Sequence, residues 1–230
     1  METSLHRDLK NFYASADAQT EVRLNGYRID VVSAGELIEI QHGSLAAIRD
    51  KVRRLLEDHR VTVVKPIVAR KLLVKQSRKS GRVVSERLSP KRGTLLSIFE
   101  ELVYFTRVFP HPRLALEVVL VEIEEWRYPG HGRRRRWRRS DHVVDDQKLI
   151  AVGERMRLST ARDLLTLLPG LPARFHSGQM AQLLEVDRRV AQRIAYCLRE
   201  TGAVEEAGRE GNTRIYQLPP AKTPRRRRAA

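Results

Sequence analysis

The sequence predicts an α/β protein: a mixed sheet flanked by helices, followed by a smaller domain of short helices and a hairpin. Three observations carry that expectation. Residues 27–32 (YRIDVV) and 37–41 (LIEIQ) alternate apolar and polar as half-buried strands do. Residues 45–59 (LAAIRDKVRRLLEDH) repeat apolar side chains every three to four positions, the mark of a helix with one buried face. Residues 61–75 (VTVVKPIVARKLLVK) and 114–126 (LALEVVLVEIEEW) are rich in β-branched residues, as strands are. The order helix, hairpin, helix, strand makes the second helix a crossover on a sheet.

Taken in order, residues 3–18 predict a first helix with Leu5, Leu9, Phe12 and Tyr13 at helical spacing. The stretch Glu21–His42 reads as a strand, a turn at Ser33-Ala34-Gly35 and a returning strand. In the helix that follows, Ser44 caps and Leu45, Ile48, Val52, Leu55 and Leu56 form the stripe, with Lys51, Arg53 and Arg54 off it. Pro66 predicts a bend in the next strand, because proline cannot donate to a ladder. Residues 76–93 are a basic loop or hairpin extension. Residues 94–109 predict a helix stopped by Pro110, and 114–126 a strand with acids Glu117, Glu122 and Glu124 on one face. That strand would pair with 142–152 across a basic tip, 128–141.

The character changes near Ser159. Residues 159–169 predict a helix with Thr160 and Asp163 in capping-box spacing. Ser177 caps a short helix, Asp187 caps a longer one closed by Gly202, and 203–218 give two short strands. This order resembles the winged-helix DNA-binding family over residues 158–218. The expected domains are therefore 1–157, 158–218 and a disordered basic tail, 219–230.

Lys and Arg outnumber Asp and Glu by 44 to 28, a net charge of +16, which favours a polyanionic partner, and nucleic acid above all. The single cysteine, Cys197, excludes a disulfide framework or a cysteine-built zinc site. The N-terminal METSLHRDLKNFY lacks the apolar core of a signal peptide, and no stretch is apolar enough to span a bilayer. A cytoplasmic protein without a membrane partner is expected.

The chemistry concentrates on Glu21–His42. Glu39 and Gln41 share one strand face, and folding back brings Asp30 toward Glu39. Two carboxylates brought together repel unless a proton or cation lies between them, and Mg2+ is the usual answer where the substrate is a phosphate ester. Glu21, then Asp30, then Glu39-Ile40-Gln41, with a helix behind, resembles the core of the PD-(D/E)XK nuclease superfamily. That group includes Holliday-junction resolvases and many restriction endonucleases.

The resemblance implies a metal-dependent DNA endonuclease. Asp30 and Glu39 would ligate Mg2+ or Mn2+, the Ile40 carbonyl would complete the shell, Gln41 would position water, and Glu21 would hold a second ion or a hydrated ligand. Gln41 stands where the superfamily usually carries lysine, although some of its restriction enzymes carry glutamine there. Lys65, and after it Lys71, are the candidates for the missing positive charge, and His42 is read as structural.

In the winged-helix region, Arg188, Arg189, Gln192 and Arg193 would face DNA from the third helix, and Arg209 and Arg214 from the wing. Arg133, Arg134, Arg135 and Arg136, with the tail Arg225–Arg228, would hold the DNA backbone. Cutters of duplexes and junctions usually act as dimers, so a homodimer is a further expectation. The rival reading is an inactive nuclease fold kept as a DNA-binding or regulatory platform.

Overall fold

The computed structural model describes residues 3–130 and 142–219. The chain divides into two compact units, meeting between Thr160 and Ala161. The first runs α1 (Ser4–Tyr13), β1 (Gln19–Leu24), β2 (Tyr27–Ser33), β3 (Glu36–Ile40), α2 (Arg49–Leu55), β4 (Arg60–Gln76), β5 (Val83–Leu88), α3 (Ile98–Leu102), β6 (Leu114–Pro129) and β7 (His142–Leu158). Its strands form one mixed sheet in the order β1-β2-β3-β4-β6-β7, with β5 against the far part of β4. β3, β4 and β6 are mutually parallel, and every other pairing is antiparallel. The expected α/β class, a mixed sheet flanked by helices, is what the chain adopts.

The core follows from apolar patterning. Leu5 and Leu9 of α1 pack on Val31, Ile38, Ile40, Val64, Val119, Val121 and Ile123 from four strands. Val61, Val63 and Val64 are all buried, so both faces of the central strand are covered, as parallel strands require. Val52 and Leu55 of α2 are buried as well.

Several elements depart from expectation, each for a local reason. The stretch Glu21–His42 belongs to a three-strand meander with two turns. Asn25-Gly26 and Ala34-Gly35 both take left-handed φ, 50° and 80°, then 49° and 75°, the pattern that joins twisted strands through two residues. The Asn-Gly signal for the first turn was present in the sequence. α1 stops at Tyr13, five residues short of the expected end, and Phe12 is 46% exposed rather than part of the buried stripe.

Pro66 does not break β4. β3 leaves that strand after Val64 and β5 joins it only at Leu72, so Pro66 lies in the gap, where no ladder donor is needed on that side. Of the helix expected over 94–109, only Ile98–Leu102 is α-helical. Glu117 does not share a face with Glu122 and Glu124. It lies an odd number of residues from both on an unbroken strand and accepts from Tyr13 of α1 at 2.7 Å. β6 and β7 pair as expected, down to Leu116–Leu158.

The second unit runs from a 3-10 turn (Ala161–Leu167), where a capped helix was expected, through β8 (Arg174–His176), α4 (Ser177–Leu183), α5 (Arg188–Glu200), β9 (Glu205–Glu210) and β10 (Thr213–Gln217). Its sheet has the order β8-β10-β9. The cap of α4 is His176, not Ser177: Nδ1 accepts the Gly178 and Gln179 amides, and the Gln179 side chain accepts the His176 amide. Asp187 caps α5 as expected, and Gly202 follows its end at φ +76°. Ala191, Ile194, Ala195, Cys197 and Leu198 bury one face of α5, and burial pushes the Cys197 thiol up to about 12. Arg133–Arg136 and the tail Arg225–Arg228 lie outside the described residues. Among the described residues, no helix is long and apolar enough to cross a membrane.

Leu9 is fully buried in the cluster that joins α1 to the sheet. Leu9→Ala is expected to cost about 2–5 kcal/mol, read as a lower urea midpoint with an unchanged slope.

Candidate active site

The meander sets Glu21, Asp30 and Glu39 in one row. Thr20 pairs with Val31 and Val22 with Ile29, which makes Glu21 and Asp30 neighbours across β1 and β2. Val31 pairs with Ile38, so the next rung carries Asp30 and Glu39. Regular pairing of β2 with β3 ends there. Asp30 continues the ladder with its side chain, Oδ2 accepting the Ile40 amide at 2.8 Å. Its Oδ1 stands 3.1 Å from His6 Nε2, delivered by α1.

Glu39 is 4% exposed. Its Oε1 forms an ion pair with Lys51 Nζ of α2 at 2.6 Å, and no other donor reaches that oxygen among the described residues. Lys51 also donates to the Arg28 carbonyl at 2.5 Å, so it bridges α2 to the meander. Glu21 has φ 59°, uncommon for a residue with a side chain, and its carboxylate is paired with Lys10 and Arg28.

An open cavity of about 400 Å³ is lined by His6, Glu21, Asp30, Ile40, Gln41 and His42, among others. The structure therefore gathers Glu21, Asp30, Ile40 and Gln41 around this cavity, while Glu39 is buried and does not line it. β3 ends at Ile40, and residues 41–43 bend away. The Gln41 amide donates to Val64 and its Nε2 to the Ser44 carbonyl. Because alternation stops at Ile40, His42 lines the cavity beside Gln41 instead of facing away from it.

The environments split the two central carboxyls. Burial pushes Glu39 up to about 7, with Asp30 adding to the rise and Lys51 opposing it. Burial also pushes Asp30 upward, but His6 and the Ile40 amide outweigh it, so its carboxyl is held below the ordinary aspartate value. Burial, with Lys65 and Lys71 nearby, lowers His42.

Lys65 does not join the acids. Its Nζ donates to the His42 and Gly43 carbonyls at 3.0 and 2.5 Å and lies 3.7 Å from Glu101. It lines a second cavity, together with Lys71. The basic side chains that reach Asp30 and Glu39 are His6 and Lys51, which sequence reasoning missed. Lys51 was visible only as a helix residue outside the apolar stripe, and nothing local says which strand it overhangs.

Among the described residues, no three His, Cys, Asp or Glu side chains converge as a metal-binding set. The donors present are the carboxylates of Asp30 and Glu39 with the Ile40 carbonyl. They are hard oxygens, the kind of donor that Mg2+ takes, and Glu39 Oε1 among them is buried against Lys51 Nζ.

In the second unit, Arg188, Arg189 and Gln192 are exposed on α5 and Arg193 is half-buried. Arg209 and Arg214 are exposed and directly paired in register on β9 and β10. Both are near Glu206, at 3.6 and 3.8 Å.

The first unit is thus an α/β domain in which Glu21 and Asp30 line an open cavity and Glu39 is buried on the neighbouring strand. The chain belongs to the family described as a domain of unknown function (DUF8091), whose model matches residues 3–159. An uncharacterized protein of Treponema pallidum (strain Nichols) is 31% identical over 225 residues, covering 95% of this chain and 86% of its own length. That similarity runs through both units. No solved structure matches the chain.

Glu39 makes a pH prediction. Its folded value, about 7, lies above the 4.5 of an unperturbed glutamate. The folded state therefore binds more protons across that window, and stability falls as pH rises through it. The loss is expected to be on the order of 2–3 kcal/mol. Thermal unfolding at pH 5 and pH 8 should show this fall in the wild type and a clearly smaller one in Glu39→Gln.

Proposed function

We propose that the protein is a metal-dependent DNA endonuclease of the PD-(D/E)XK kind, with a winged-helix module in its second unit. The observation that carries this reading is the row of acids: Asp30 lines an open cavity with Glu21, Ile40 and Gln41, and the buried Glu39 stands on the rung beside it. Burial of a carboxylate calls for a compensating cation or proton, and Lys51 stands 2.6 Å from Glu39 Oε1. Asp30, Glu39 and the Ile40 carbonyl would hold Mg2+ or Mn2+.

The backbone supports that donor set. In an antiparallel sheet the N–H and C=O of one residue point to the same neighbour, so the Ile40 carbonyl faces the side on which its amide meets Asp30. Once bound, the ion would activate water and stabilise the charge that develops at phosphorus during in-line displacement. Gln41 would position the water. Lys51 would supply the positive charge that a motif lysine normally brings, because it is the cation on Glu39. Glu21, held by Lys10 and Arg28, would orient a hydrated ligand.

The second unit's order of helical turn, strand, two helices and hairpin supports the winged-helix reading. Arg188, Arg189, Gln192 and Arg193 would meet the major groove, with Arg209 and Arg214 on the wing. Cutting both strands of a duplex calls for two copies of the site, so a homodimer belongs to this reading.

One observation favours a second reading. Each acid of the row already has a basic side chain against it: Lys10 and Arg28 on Glu21, His6 on Asp30 and Lys51 on Glu39. A nuclease fold kept as a DNA-binding platform would hold its acids in this way.

Plasmid incubated with the full chain and Mg2+ or Mn2+ separates the two. Cleavage by the wild type and a loss of at least about a hundredfold in Asp30→Ala and Glu39→Ala are expected, since removing an ion's ligand withdraws several kcal/mol of charge stabilisation. If all three proteins retard the plasmid on a gel and leave it intact, the platform reading stands. Independently, replacing Arg189 and Arg193 together by alanine should weaken DNA binding and reduce its salt slope by about one for each arginine.

A further inference from the structure

The gap in the pairing of β4 forms a second cavity. Residues 89–93, Ser-Pro-Lys-Arg-Gly, close the gap as a strap. The Ser89 amide donates to the Lys71 carbonyl at 2.8 Å and the Gly93 amide to the Val68 carbonyl at 2.9 Å. Within the strap, Ser89 Oγ accepts the Lys91 amide at 3.2 Å. The fit on β4 is close: a Cβ on Gly93 would stand 2.5 Å from Ile67 Cγ2 and 2.9 Å from the Val68 carbonyl oxygen.

The open cavity beside the strap measures about 630 Å³. Lys65, Lys71, Lys91 and Arg92 line it, against Glu100 and Glu101. Two of these cations are committed. Lys65 holds the His42 and Gly43 carbonyls, and Lys71 pairs with Glu125 at 2.5 Å. Lys91 and Arg92 are exposed, with no acidic partner among the described residues. His42 lines this cavity and the acid cavity alike, which makes the two neighbours.

We propose that this cavity is a phosphate site, in which Lys91 and Arg92 bind a backbone phosphodiester of the nucleic-acid strand next to the one presented to Asp30 and Glu39. The chemistry favours that occupant. An arginine fork and a lysine match phosphate oxygens. The remaining excess of cations attracts an anion, and the open mouth lets a polymer pass where a closed pocket would retain a small molecule. The proposal rests on the nucleic-acid part of the proposed function and not on cleavage.

The test is the binding of a fluorescent DNA duplex to the full chain in the absence of divalent metal, so that an inactive nuclease still gives an answer. Lys91 and Arg92 are exposed, and their double alanine variant should keep the wild-type circular dichroism. It is expected to bind about tenfold more weakly, with the salt slope reduced by about two. Gly93→Ala, which displaces the strap without removing charge, should also weaken binding. Arg78→Ala with Lys79→Ala, removing the same charge from the exposed turn between β4 and β5, should change affinity less than about twofold. Inorganic phosphate should compete with the duplex on the wild type and less on the Lys91/Arg92 variant.

Unchanged affinity and slope in that variant would overturn the proposal, and so would an equal loss in the Arg78/Lys79 pair. If inorganic phosphate binds the wild type and not the Lys91/Arg92 variant while their DNA affinities agree, the cavity is a free-phosphate site and the nucleic-acid assignment fails.

Discussion

The parallel pairing of β4 with β6 is the constraint on which the first unit depends. It runs from Val61–Leu114 to Lys75–Arg127, and on its other side β4 has to be shared. β3 takes the first part and β5 the last. The stretch between is left with one paired edge, and it carries the residue least able to use a second, Pro66. The strap at 89–93 covers this edge, and β3 ends beside it. Both cavities lie where the strands part. The last backbone rung there, from the Gln41 amide to the Val64 carbonyl at 2.9 Å, lies directly before Lys65. The same interruption of the sheet therefore frees residues 41–43 from the ladder and leaves room for a groove.

The acid row shows a second constraint, electrostatic in origin. A sheet that brings Glu21, Asp30 and Glu39 side by side concentrates like charge. The fold answers with basic side chains, mostly from other elements: Lys10 and His6 from α1, Arg28 from β2 and Lys51 from α2. Compensation is uneven. Glu21 is paired twice and Asp30 is well bonded, while Glu39 is buried against Lys51 alone and rises to about 7. Burial thus selects one acid of the three to remain poorly satisfied, and that acid has the weakest claim to being merely structural.

What the sequence disclosed follows the range of the interactions concerned. The apolar alternation of 27–41 is a local property, and it placed Asp30 and Glu39 on adjacent strands before any coordinates. The cap at Asp187 and the stop at Gly202 were equally local. The bonds that decide the chemistry span long separations. His6 reaches Asp30 across 24 residues, and Lys65 meets Gly43 across 22. No periodicity encodes which helix overhangs which rung, so sequence reasoning points to Lys65 and Lys71 and passes over Lys51. The misplacement of Glu117 was different in kind, since counting residues along the strand separates it from Glu122 and Glu124. The short α3 is a case of tertiary packing overriding propensity: the helix stops at Leu102, and Phe99 on it and Phe105 and Phe109 in the turns beyond are all buried.

The charge balance of the row bears on how a metal and a nucleic acid would act together. Three carboxylates face Lys10, Arg28 and Lys51, so the row is close to neutral before any ion enters. A divalent ion at Asp30 and Glu39 would add two positive charges to a site already compensated, and it would share Glu39 Oε1 with Lys51 Nζ. Its affinity would then be weak in the free protein and would rise when phosphodiesters bring negative charge into the groove. By linkage, the ion would strengthen DNA binding by the same factor. Lys51 has a flexible four-carbon stem, so it can turn its ammonium toward a phosphate oxygen as the ion takes Glu39. The pairing of the acids with basic side chains, which first reads as a sign of inactivity, is thus compatible with a site that assembles only on its substrate.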